Sequence, residues 1–249
     1  MRRSALVVLL ALPACTTFEP SLHAGYASLA VDGDIALTTG SSSTAVSQDV
    51  ESALGLGDDE GAPYGRLAAD FGVPVLTVSA FGFEQQGRGQ LAADFGNVAG
   101  GATVFSDFSL TNVKASWLFD IGAGPFTISP GIGVDFFDLG LEVRDAIGIA
   151  SEDIQLQAPL PLLCLRAALD LNPVELMVEG GYVQVPEIDD IEGSFFDVEG
   201  MLRVRPTGWL DLFAGYRWIS LEADGVVDGD AFDTELEISG WLVGGGIRF

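Results

Sequence analysis

The residues able to do chemistry in this chain are few and mostly of one kind. His23 is its single histidine and Lys114 its single lysine, against 36 Asp and Glu. A serine- or cysteine-type hydrolase needs an imidazole beside its nucleophile, and the one imidazole precedes the first extended segment. No nucleophile elbow, phosphate loop, Cys/His cluster or dinucleotide fingerprint occurs. The sequence therefore offers no catalytic set, no cofactor site and no metal centre, and the chain reads as a non-enzyme.

What the chain does supply is charge at regular spacing. Eleven residues are Lys or Arg, and once Arg2 and Arg3 are set aside nine remain. Arg66, Lys114, Arg166, Arg203, Arg205, Arg217 and Arg248 fall within alternating segments, mostly in the polar phase. Asp70, Asp135, Asp170, Glu175, Glu179, Asp197, Glu199 and Asp211 share that phase. Such groups can line a selective pore or pair with each other. Arg offers a fork that suits a carboxylate, and an unpaired buried charge is costly. Because both signs are interspersed, the expected arrangement is a salt-bridged plug. Its predicted members are Arg66, Lys114, Arg166, Glu175, Glu179, Asp197, Glu199, Arg203, Arg205, Asp211 and Arg217.

A second set of acids lies between these segments. Asp49, Glu51, Asp58, Asp59 and Glu60 form one group, Glu187, Asp189, Asp190 and Glu192 another, and Glu222, Asp224, Asp228, Asp230 and Asp233 a third. Hard oxygen ligands of this kind suit divalent cations, although Asp228-Gly229-Asp230 falls far short of a calcium loop. A solvated acidic rim is the simpler expectation. The formal charge of −25 would repel phosphate backbones and excludes general nucleic-acid binding.

The elements that must position these residues are strands. The chain has 249 residues, 48% hydrophobic, which is too apolar for a disordered polymer. Its apolar residues recur with period 2. Phe126, Ile128, Pro130, Ile132, Val134 and Phe136 alternate with Thr127, Ser129, Gly131, Gly133 and Asp135. The same holds for Phe196–Val204, Leu210–Trp218 and Val174–Val178. Ten strands follow, at about 24–38, 62–71, 74–86, 105–121, 125–144, 153–171, 174–187, 193–206, 209–223 and 232–249. Apolar residues lie on both faces at 74–86 and 153–171. The phase also slips after Phe136, which a bulge or an exit from lipid would explain.

The connections alternate between two classes. Short turns fall at Gly72-Val73, Gly122-Ala123-Gly124, Asn172-Pro173 and Thr207-Gly208. Long connections cover about 39–61, 87–104, 145–152, 188–192 and 224–231. Trp117, Phe119, Phe126, Trp209 and Phe249 lie near the short-turn ends, and Phe136, Tyr182 and Trp218 near the opposite ends. This predicts an all-β fold: a single antiparallel up-and-down transmembrane β-barrel of about ten strands, eight being the smaller alternative. Outer-membrane lipids would surround it.

The first 14 residues read as an export signal, with Arg2 and Arg3 ahead of an apolar core too short to span a membrane. The segment Leu12-Pro13-Ala14-Cys15 resembles the lipobox of bacterial lipoproteins, which implies lipidation of Cys15. The expected organisation is a signal at 1–14, a lipid-anchored tether at 15–23 and a barrel domain at 24–249. Cys164, in an apolar run, reads as a packing residue. The C-terminal stretch from Trp241 through Ile247 to Phe249 resembles the β-signal that outer-membrane proteins present to the barrel assembly machinery. Asp49–Leu56, Ala158-Pro159-Leu160-Pro161, Gly215-Tyr216-Arg217 and Ile247-Arg248-Phe249 together resemble a group of bacterial outer-membrane barrel proteins of largely uncharacterised function. That resemblance implies an architecture and the outer membrane as location, with both termini periplasmic. It carries no activity. The role expected is structural, surface-interacting or that of a narrow channel. The alternatives are a soluble lipocalin-like lipoprotein that binds a small apolar ligand, and an outer-membrane hydrolase.

Overall fold

The computed structural model describes residues 18–38, 46–188, 191–227 and 230–249. Ten long strands form one closed sheet: β1 (Glu19–Thr38), β3 (Glu60–Asp70), β4 (Pro74–Gln90), β5 (Thr103–Phe119), β7 (Phe126–Asp145), β8 (Ser151–Asp170), β9 (Val174–Ile188), β10 (Ile191–Val204), β11 (Leu210–Val227) and β12 (Asp230–Arg248). Each pairs antiparallel with its neighbour. Last and first strands join from Ser21 opposite Arg248 to Thr38 opposite Ala231, so no edge is left. Two short pieces, β2 (Gln48–Asp49) and β6 (Ile121–Ala123), add to β1 and β7. The expected signal, Cys15 and the start of the tether lie outside the described residues.

β1 begins at Glu19, before the boundary expected at 24. Leu22 points outward and His23 inward, so the strand's alternation already runs through this segment. Its one apolar side chain in a polar setting had hidden it. The connections expected at 188–192 and 224–231 differ too. Ile188 pairs with Ile191, and Val227 with Asp230, so strand continues through most of both segments. Glu222, Asp224 and Asp233 gave the second segment and its flanks a loop-like composition, but these acids are the outward positions of strands whose inward positions include Leu221 and Leu236. The two segments with apolar residues on both faces are full strands, β4 and β8.

Each strand has two halves of opposite polarity. In β7 the outward residues are Phe126, Ile128, Pro130, Ile132, Val134 and Phe136, followed by Asp138, Gly140, Glu142 and Arg144. The inward residues run the other way, from Ser129 and Asp135 to Phe137, Leu139, Leu141 and Val143. Pairing of β7 with β5 and β8 is uninterrupted through this point. No bulge produces the apparent slip after Phe136; the apolar face changes sides because the surroundings do.

β5 inverts at the position opposite, where outward Val113 gives way to Thr111. β11 inverts between Trp218 and Ser220, and β12 between Trp241 and Ser239. Outward Tyr26, Phe136, Tyr182, Phe196, Trp218 and Trp241 mark this edge of an apolar belt. Phe18, Phe71, Trp117, Phe119, Phe126, Trp209 and Phe249 mark the other, at the end with the chain termini. Two aromatic girdles around an aliphatic band are what a bilayer accepts from a barrel. The belt spans about 9–11 residues of strand, the length needed to cross the hydrocarbon.

Beyond the belt the barrel continues as a soluble-type sheet, polar outside and apolar within. Its far mouth is closed by the segment Gln48–Leu56. Asp49 caps a single helical turn, Val50–Leu54, by accepting the Ser52 N–H at 2.6 Å. That contact with Ser52 holds the Asp49 carboxyl below the usual carboxylate range. Val50, Ala53, Leu54 and Leu56 are buried beneath it. The turn can dock because β4 carries Gly89 here: a Cβ would lie 2.0 Å from the Ala53 carbonyl oxygen. Leu91, Phe95 and Val98 close the rest of the mouth.

Phe249 tests how far the seam depends on its last residue. Its N–H donates to Pro20 at 3.0 Å, and its ring is exposed at the belt edge. Deletion is expected to cost the folded barrel about 1–3 kcal/mol, the scale of one large apolar side chain. Refolding in detergent should stay nearly normal, while the amount of heat-modifiable barrel in cells falls. Unchanged cellular levels would remove Phe249 from any assembly role.

Candidate functional site

Within the belt the lumen is filled by charged groups in two layers. The central layer runs from mid-belt to the girdle, where Asp135, Asp197 and Arg217 neighbour Phe136, Phe196 and Trp218. Arg66 is gripped by Glu179 at 2.5 Å and Glu199 at 2.9 Å, and the Tyr64 hydroxyl donates to Glu199 at 2.8 Å. Asp197 receives Lys114 at 2.7 Å and two N–H groups of Arg217 at 3.0 Å. Arg217 also donates to Asn112 at 2.9 Å and lies 4.8 Å from the Phe81 ring centroid. Asn112 in turn donates to Asp135. Ser116 donates to Glu179 at 3.1 Å and shares a hydrogen bond with Thr77. Nearly all of these groups are below 5% exposed, so their attraction acts with little help from water.

The second layer lies nearer the termini. Arg166 reaches Asp120 at 2.7 Å, and Arg205 reaches Asp170 at 2.7 Å while also pairing with Glu175. Arg203 lies 3.3 Å from Glu175. His23 and Arg248 meet on Asp211 at 3.1 and 3.3 Å. Above both layers an apolar core fills the lumen, including Leu29, Leu110, Phe137, Leu139, Phe195 and Ile219.

The eleven residues predicted for the plug therefore all face the lumen, divided between two layers. Arg66, Lys114, Glu179, Asp197, Glu199 and Arg217 form the centre, and Arg166, Glu175, Arg203, Arg205 and Asp211 the mouth. Arg217 on β11 meets Asp197 on the neighbouring β10, and Arg203 on β10 meets Glu175, directly opposite it on β9. Tyr64, Asn112, Asp120 and His23 were missed. All four were legible by phase: Tyr64 sits two residues from Arg66, Asn112 two from Lys114, and His23 in phase with Ala27. Asp120 lies six residues on from Lys114, within the strand expected at 105–121, although β5 ends at Phe119.

Trp241, Ile247 and Phe249 are outward, the first on one girdle and the others near the second. Cys164 is buried and free. Among the described residues no three His, Cys, Asp or Glu side chains converge as metal ligands. The motif Asp49–Leu56 is the capped turn that closes the far mouth. In Gly215-Tyr216-Arg217 the tyrosine packs edge-on against Trp241 in the girdle, and the arginine is one of the cations of the central layer.

No family model matches the chain, and no curated protein matches it in sequence. Solved structures do. The outer membrane protease OmpT from Escherichia coli superposes with a TM-score of 0.55 over 94% of this chain and 98% of that one, at 6% identity. The chain folds as a bacterial outer-membrane β-barrel. Ail, the attachment invasion locus protein of Yersinia pestis, gives a TM-score of 0.38 at 13% identity, covering 93% of this chain and 99% of that one. Neisserial surface protein A gives 0.34 at 12% identity, over 93% and 95% of the two chains. The likeness is one of fold, and the chemistry must be argued from the side chains above.

Proposed function

We propose that this protein is a sealed outer-membrane scaffold that works through its surface and does not conduct. The observation that carries the reading is the lumen, occupied by paired charges in the belt and by packed apolar side chains beyond it. A pore needs a continuous wet path, and Arg66, Arg217 and their carboxylates block it at the centre. The apolar belt argues against a soluble ligand-binding barrel, whose outside would be polar throughout.

The outer surface of the extension suits an interaction role. Asp34 faces Asp49 on one side and Glu235 on the other, and Glu235 faces Glu222. Asp32 faces Glu237, and Asp233 faces Asp224. Like charges directly opposite on neighbouring strands are unfavourable, and the described outward positions of β1, β11 and β12 beyond the girdle hold no Lys or Arg. Such a surface favours cationic partners, divalent cations among them. An even strand count returns the chain to its starting side, which in this reading is the periplasm. A lipid on Cys15 then sits in the inner leaflet, and Trp241, Ile247 and Phe249 engage the assembly machinery.

In a planar bilayer the protein is expected to show no steady conductance above the membrane background. Cysteine introduced at Gly148 should be labelled on intact cells, and cysteine introduced at Gly124 should not. A large steady current would end the sealed reading, and reversed labelling would end the orientation.

A further inference from the structure

The barrel mouth beside the chain termini opens into a cavity of about 310 Å³, within the size range of small-molecule sites. Its wall carries both signs, and the acids without an ion pair lie on β1 and β3. Glu19 on β1 and Asp70 on β3 stand opposite each other in register, and both line the cavity. Neither belongs to an ion pair among the described residues; the Asp70 carboxylate accepts only the Gly72 N–H, at 2.7 Å. Arg166, Arg203 and Arg205 line the cavity with Asp120, Asp170 and Glu175 among them, and Arg248 stands on β12 beside β1.

These guanidiniums are incompletely satisfied. Arg203 is 8% exposed, and its one carboxylate contact is the 3.3 Å approach to Glu175. Its other donors point at the thioethers of Met201 and Met177, at 3.4 and 3.5 Å, and sulfur is a weak acceptor. Among the described residues Arg248 has only the 3.3 Å contact with Asp211, and the buried Nε groups of Arg166 and Arg205 have no acceptor. Leaving buried donors unpaired is unfavourable, and a ligand that accepts from them recovers that loss.

Overall charge decides between ligand classes. The lining holds four arginines and five carboxylates, Glu19, Asp70, Asp120, Asp170 and Glu175. A simple anion or a simple cation therefore gains little from the cavity as a whole. A molecule that carries both charges gains from the unpaired acids and from the spare arginine donors at once. We propose that this cavity binds a small zwitterion, an amino acid or short peptide, with its ammonium against Glu19 and Asp70 and its carboxylate at Arg203 and Arg248. The site is at the opposite end from the acidic surface, and its test is independent of how the barrel sits in a membrane.

The mature chain, refolded in detergent at low salt, is titrated calorimetrically with dialanine, N-acetyl-dialanine and dialanine amide. Dialanine should bind, and blocking either end should weaken binding tenfold or more. In Asp70→Asn the acetyl block should lose its effect, and in Arg248→Gln the amide block should lose its effect. Heat-modifiability on a gel checks that each variant is closed. Glu19→Gln, at the exposed rim, repeats the acidic-wall test with little demand on folding. No binding at millimolar dialanine, or equal binding of the three probes, overturns the proposal. Binding that depends on the carboxylate alone also overturns it, since a plain oxyanion site would then suffice.

Discussion

Replacing Arg217 by alanine is expected to lower the unfolding free energy of the barrel by about 3–5 kcal/mol, because it strands a buried carboxylate. Asp197 would keep only Lys114, the Asn112 side-chain oxygen would lose its donor, and Phe81 would face a void where a guanidinium lay. Arg144→Ala is the matched control. Its ion pairs with Asp107 and Glu142 are on the exposed face of the extension, where the change should stay within about 0.5 kcal/mol. Urea unfolding in detergent, followed by tryptophan fluorescence, compares the two. If both variants unfold alike, the central network does not hold the barrel together. Lys114→Met should fall between them, because Asp197 retains both bonds from Arg217.

The fold was legible because lipid and water impose opposite patterns on the same period of two. Strand number, the short turns and most of the girdle follow from alternation together with Gly, Pro and Asn. What alternation conceals is where a strand leaves the membrane. At Phe136–Phe137 two adjacent apolar residues read as a slip, yet Phe136 faces the belt and Phe137 the core, with unbroken pairing on both sides. The acidic ends of β11 and β12 were concealed for the same reason. Outside the lipid a strand shows its polar residues to water, and a row of acids and glycines then resembles a loop.

The site was legible in composition but not in wiring. Charge in the inward phase of a membrane strand must face the lumen, and alternation alone therefore assigns each charged residue a side. Which acid each arginine meets depends on the tilt of the strands and on reach across the lumen. Arg66 on β3 bonds Glu179 on β9 and Glu199 on β10, far across the lumen from it. No spacing along the chain encodes that. The hydroxyls and amides that complete the network, Tyr64, Thr77, Asn112 and Ser116, carry no charge to announce them.

The inversion of polarity makes its strongest claim at two neighbouring residues of β10. Phe195 points inward, 1% exposed, with its ring 5.0 Å from that of Phe137 in an edge-on contact. Phe196 points outward at the girdle, its ring 5.5 Å from Trp218 in a similar contact. Residue type, strand and aromatic partnering are the same, and only the side differs. Phe195→Ala should cost about 3–5 kcal/mol, because a packed core cannot collapse around the missing ring. Phe196→Ala should cost about 1 kcal/mol, the worth of the aromatic pair, because lipid or detergent refills the space. Urea midpoints in detergent separate the two cases. Equal costs would mean that the extension has no core of its own, and that the belt alone carries the stability of the barrel.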